Sequence, residues 1–138
     1  MEVNKTRVRV GRVIFLTLTA LFTICILVQV YLAGMAIFIN PGAWVKHMMF
    51  VHLFGFNLPI LMVIFAVVGS MPRWVYWKLL GILVSTFLMY FTTHINAILP
   101  WMGPIHPVLA ILLFVLSCSI FIKTWGLINN NQKAGYEK

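Results

Sequence analysis

Four histidines, His47, His52, His94 and His106, are the residues of this chain with the widest chemical range. A neutral imidazole ligates iron, zinc or copper, passes protons, and titrates near neutral pH. Carboxylate chemistry does not accompany them, because the only two acids, Glu2 and Glu137, lie in the polar ends of the chain. A proton-driven transporter built on a buried Asp or Glu is therefore not expected, nor is a carboxylate-bridged metal centre. Cys25 and Cys118 fall well inside apolar runs. There a thiol reads as a small packed hydrophobe and not as half of an exposed disulfide.

The elements that must position these imidazoles are apolar. Of 138 residues 62% are hydrophobic and 9% charged, against roughly 25% charged in a soluble domain. Four runs stand out, at residues 13–39, 47–70, 77–99 and 105–128. Each reaches the roughly 20 residues that carry a helix across about 30 Å of hydrocarbon, and the first has surplus for tilt. The first is also too long for the apolar core of a cleaved signal peptide, about 7 to 15 residues, and lacks a clear cleavage site after it. Short turns at Asn40, Pro41 and Gly42, and from Pro100 through Gly103 to Pro104, make consecutive helices antiparallel neighbours. The expected fold is all-α: an integral membrane, antiparallel four-helix bundle forming one domain over residues 1–138.

Local signals refine that expectation. Pro104 and Pro107 suit the first turn of the fourth helix. Pro59 interrupts the second and frees a carbonyl near Gly55, which Asn57 could satisfy. Gln29, followed by Ala33 and Gly34, reads as an interhelical hydrogen-bonding residue in a stretch of small side chains, with pocket lining as its alternative. The tail from Asn129 onward is polar and expected to fray. There is no low-complexity tract or strong internal repeat.

Charge sets the orientation. Lys5, Arg7, Arg9, Arg12, Arg73, Lys78, Lys123, Lys133 and Lys138 flank the side that holds the termini, and Lys46 alone flanks the other. By the positive-inside rule both termini are cytoplasmic in a multi-pass cell-membrane protein. Trp44 and Trp101 would then mark the outer interface, with Trp74, Tyr76, Trp77 and Trp125 at the inner one. Nucleic acid is not an expected partner, since the cations sit between apolar runs and do not form one exposed basic surface.

On this scheme every histidine falls in the outer part of the bundle. His52 and His94 lie at similar depth, each on the order of 7 to 8 Å inside its span. His47 and His106 belong to the first turns of the second and fourth helices. Haem suits such a place, because its macrocycle is flat and apolar while its iron takes axial His. Phe50, Leu53, Phe54, Phe91 and Leu109 could line the pocket. His52 and His106 are the leading ligands. His94 is either a ligand or a supporting partner, with Tyr90 four residues earlier on its face. His47 reads as an interfacial or hydrogen-bonded residue, with a supporting role at haem as the alternative, and Met48 and Met49 are possible soft ligands.

The segment IHPVLA from Ile105 to Ala110, with His52, Leu53, Phe54 and Gly55, resembles two groups of proteins. One comprises small, uncharacterised four-helix bacterial membrane proteins, similar over nearly the whole chain, including QVYLAG from Gln29 to Gly34. The other is a four-helix half of haem A synthase. The second resemblance implies haem ligation by the positions that match the family's histidines, His52 and His106, and the first implies a bacterial inner membrane. The catalytic half of that family carries a glutamate one turn before its helix-2 histidine, where Met48 and Met49 stand here, and an outer-loop cysteine pair that this chain lacks. The resemblance thus implies binding of haem b, electron transfer or haem handling near the outer leaflet, rather than haem-methyl oxidation. A redox or membrane-protein partner would accompany that function. The alternative is a non-enzymatic membrane subunit or assembly factor without a cofactor.

Overall fold

A chain in hydrocarbon satisfies its own amides best as helix, so helices run until a specific residue stops them and not until apolarity fades. The computed structural model describes the backbone of residues 2–136 and the side chains of residues 4–130. Helix α1 covers Glu2–Phe38, beginning well before residue 13 and taking in Lys5, Arg7, Arg9 and Arg12. The second span opens at Ala43 and is divided into α2, Ala43–Phe54, and α3, Asn57–Val68. The break at Gly55 and Phe56 lies one turn before Pro59, whose ring collides with the carbonyl of residue 55. Asn57 Nδ2 donates to the Leu53 carbonyl at 2.8 Å, helping to satisfy the interrupted backbone.

Helix α3 ends in a tight reversal. Met71 N–H donates to Ala66 O at 2.9 Å and Ser70 N–H to Val67 O at 3.0 Å, with Ser70 in the left-handed region at φ 44°. Arg12 of α1 reaches this end, donating through Nε to Gly69 O at 2.9 Å and through Nη2 to Ser70 O at 3.4 Å. A guanidinium is well placed there, because the last carbonyls of a helix are unpaired and carry partial negative charge. Pro72 follows with extended backbone and α4, Arg73–Ile95, begins. It stops short of residue 99 because Pro100 excludes helical backbone at Leu99, which sits at φ −125°, ψ 83°. A 3₁₀ turn at Pro100–Met102 leads into α5, Ile105–Tyr136. The tail expected to fray is helical as far as Tyr136.

All four spans are long and apolar enough to cross a membrane. They form an antiparallel ring: α1 packs on α2, α3 and α5, and α4 packs on α3 and α5. Phe15, Phe22 and Ile26 of α1 meet Met62 and Ala66 of α3, Val75, Leu79 and Ile82 of α4, and Leu113 and Ile120 of α5 in one buried cluster. Small hydroxyl residues bring α1 and α5 together, with Thr23 hydrogen-bonded to Ser117 across them. Cys25 and Cys118 are free thiols.

Helices α1 and α3 approach closely at Gly11. A Cβ built there would stand 2.6 Å from the Gly69 nitrogen and 2.9 Å from its Cα, whereas one built at Gly34 would meet nothing within 4 Å. Of the two glycines of α1, the one in tight contact is therefore Gly11, at the opposite end of the helix from Gly34. The start of α1, the α3–α4 turn and the last part of α5 share that end, and Arg12, Lys78 and Lys123 lie toward it.

Candidate functional site

At the other end of the bundle polar residues meet in two groups, one between α1 and α2 and one between α4 and α5. Gln29 sits on α1 one helical stretch before the Asn40–Gly42 turn, and α2 returns His47 to its level. Gln29 Nε2 donates to the His47 carbonyl at 2.9 Å, and His47 Nδ1–H donates to the Gln29 carbonyl at 3.1 Å. Gln29 is buried, at 7% exposure. Its Oε1 has no hydrogen-bond partner among the described residues. The interhelical role expected of Gln29 is met through its Nε2, while its oxygen is left available.

His106 enters from the first turn of α5 and lies against the last turns of α4. Its Nδ1 is 3.2 Å from Met89 O, 3.2 Å from Thr93 Oγ1 and 3.5 Å from Thr92 Oγ1. Both threonine hydroxyls donate to Met89 O, at 3.0 and 2.9 Å. With their protons committed, all three oxygens face His106 as acceptors, so Nδ1 carries the hydrogen. His47 and His106 are both half-buried.

The tautomer has a chemical consequence. A carbonyl accepts only from a protonated nitrogen, which leaves Nε2 of a neutral imidazole with its lone pair. Metal-binding histidines are oriented by this type of Nδ1–H contact to a backbone carbonyl. His52 shares the pattern, with Nδ1–H donating to Met48 O at 2.6 Å.

His52 nevertheless faces differently. It is exposed, and its ring meets the edge of Tyr90 at 5.5 Å. Tyr90, on α4, also stacks on Phe56 at 5.4 Å and donates its hydroxyl to Val51 O at 3.2 Å. The ring that the sequence offers to His94 is therefore engaged with α2 and its break, and His94 itself is exposed at the end of α4. Of the five suggested lining residues, Phe54 and Leu109 are buried and Phe50 partly so. Leu53 is 68% exposed and Phe91 also faces outward. Phe54 packs edge-on to Phe22 of α1 at 5.9 Å. Met48 and Met49 lie on the exterior.

Thr92 and Thr93 are the residues that sequence reasoning missed. Their signal is faint, two adjacent threonines near a helix end, and their importance depends on where α5 places His106. Among the described residues no group of three or more His, Cys, Asp or Glu side chains converges as metal ligands.

Four apolar helices of spanning length fit a multi-pass membrane protein, and the polar cluster at one end gives the bundle two chemically distinct ends. Residues 29–94 match the family of unknown function DUF6220. That stretch runs from Gln29 to His94, so it holds His47 and His52 and leaves out His106. No curated protein and no solved structure matches the chain.

Proposed function

We propose that the histidine end binds haem b and serves electron transfer or haem handling near the outer leaflet of a bacterial inner membrane, with both termini cytoplasmic. The observation that carries this reading is the shared state of His47, His52 and His106: each commits Nδ1–H to a backbone carbonyl and keeps Nε2 free. The donor set fits the group. His47 and His106, half-buried on different spans, would be its two ligands. The unpaired Oε1 of Gln29 offers a hydrogen-bond acceptor on the residue that bonds His47. His52 and His106 are the positions supported by the resemblance to haem A synthase, and His52 is the alternative second ligand, reached at the exterior beside Tyr90. His94 would support the site from the end of α4. Bound there, haem would supply a one-electron couple. The protein's own contribution is to fix two imidazole planes through Met89, Thr93 and Gln29 and to surround them with hydrocarbon. Haem-methyl oxidation is not part of the proposal, because no carboxylate stands near His52 among the described residues.

The test is an absorption spectrum of full-length protein purified in detergent from haem-replete cells. A Soret band is expected, lost in His106→Ala and in His47→Ala but kept in His52→Ala. Loss in His52→Ala with retention in His47→Ala would move the second ligand to His52. Colourless wild-type protein would end the haem reading.

One observation favours a second reading, a cofactor-free membrane subunit or assembly factor. The reciprocal Gln29 and His47 hydrogen bonds join α1 to α2 without any ligand, which is reason enough for a half-buried histidine. On that reading the protein is colourless, and replacing all four histidines leaves co-purification of its membrane partner intact.

A further inference from the structure

The basic end poses a charge problem of its own, separate from the histidines. No residue from 4 to 130 is acidic. Arg12 is occupied by the carbonyls of Gly69 and Ser70. Lys78 of α4 and Lys123 of α5, however, are drawn to the same indole: their Nζ atoms lie 6.0 and 5.6 Å from the ring centroid of Trp74. Lys78 also donates to the hydroxyl of Ser119. A tryptophan face and a neutral hydroxyl attract these ammonium groups but neutralise neither, and two like charges held around one ring repel. An anion between them would reverse that balance.

Beside the lysines runs a shallow groove of about 350 Å³ along α5, lined by Phe114, Val115, Cys118, Ser119, Ile122 and Lys123. Ser119 and Lys123 belong both to the groove and to the lysine cluster, so the cationic and apolar parts are continuous. A free inorganic anion would use only the first part. A phospholipid uses both, since its phosphate sits at headgroup level and its acyl chain lies along the helix. Basic pockets between transmembrane helices are known places for anionic headgroups. We propose that Lys78, Lys123, Trp74 and Ser119 bind the phosphate of an anionic phospholipid whose acyl chain occupies the groove on α5. This site is independent of the haem proposal and lies at the opposite end of the bundle.

The experiment is native mass spectrometry of the full-length, delipidated protein in detergent, titrated with phosphatidylglycerol or with phosphatidylcholine of identical acyl chains. Each lysine near the headgroup contributes about fivefold, so Lys78→Gln with Lys123→Gln is expected to weaken phosphatidylglycerol binding about 30-fold. Lys46→Gln, at the other end, leaves binding unchanged. Equal affinity for the two lipids, or full retention of phosphatidylglycerol binding in the double variant, overturns the proposal. So does inorganic phosphate that displaces the lipid at equal concentration, because the site would then recognise an ion alone. Should the double variant lose its helical circular dichroism, Lys123→Gln alone, at an exposed position, carries the test with an expected loss of about fivefold. Unchanged binding there is equally fatal.

Discussion

The side chain of Gln29 bonds the backbone of His47 and the side chain of His47 bonds the backbone of Gln29, at 2.9 and 3.1 Å, so that each of two neighbouring helices satisfies a group on the other. Interhelical hydrogen bonds in membranes average about 0.6 kcal/mol and reach about 1.7 kcal/mol. Gln29→Leu removes one of this pair and is expected to lower stability by about 1 kcal/mol. Equilibrium unfolding in mixed micelles reads the change. A variant as stable as the parent would mean that the pair does not clamp α1 to α2.

Gly11 and Gly34 make a matched comparison on one helix. Alanine at 11 drives a Cβ into the backbone of Gly69, 2.6 Å from its nitrogen, and backbone cannot step aside as a flexible side chain can. Overpacking of this type costs about 1–3 kcal/mol. Alanine at 34 meets open space and gains helix propensity, about 0.5–1 kcal/mol. Thermal unfolding of Gly11→Ala and Gly34→Ala should therefore shift in opposite directions.

Ser70 carries a left-handed φ of 44°, a conformation that strains a residue with a Cβ. Ser70→Gly relieves that strain at some cost in unfolded-state entropy, for an expected net gain of about 0.5–1 kcal/mol. Ser70→Val should lose stability, because a β-branched side chain suits this region least. Chemical denaturation of the two variants gives the sign of each.

Thr93 is a positioning residue on the haem reading. Its hydroxyl donates to Met89 O and accepts from His106, so Thr93→Val removes one acceptor from the imidazole without touching its Nε2. Groups behind a histidine ligand typically matter by about 10- to 100-fold in affinity. Haem titration should show about tenfold weaker binding in Thr93→Val with an unchanged Soret position, and recovery in Thr93→Ser. A shifted Soret band in Thr93→Val would mean a changed ligand instead.

Much of the architecture was legible because its causes are local or compositional. Apolar length marks four spans, and Pro59 marks the break between α2 and α3, with Asn57 beside it. What could not be read were facts of rotation and reach. His47 and His52 are five residues apart on one helix, so they point in different directions, but which one faces inward depends on how α2 packs against α1. Gly11 lies before the apolar run, and its contact with Gly69 depends on α1 extending through a basic stretch as helix. Thr92 and Thr93 acquire their role only from the His106 ring of a different span.

The interruption at Gly55 and Phe56 also divides the second span into two units of unequal cooperativity. α3 is wedged between α1 and α4 and contributes Met62 and Ala66 to the buried core, whereas α2 leans chiefly on α1, with Tyr90 as its tie to α4. Amide exchange should accordingly separate them, with α2 opening at a lower free energy than α3 and carrying His47 and His52 with it. The fold thus places two of its imidazoles on the segment that can unlatch without dissolving the bundle.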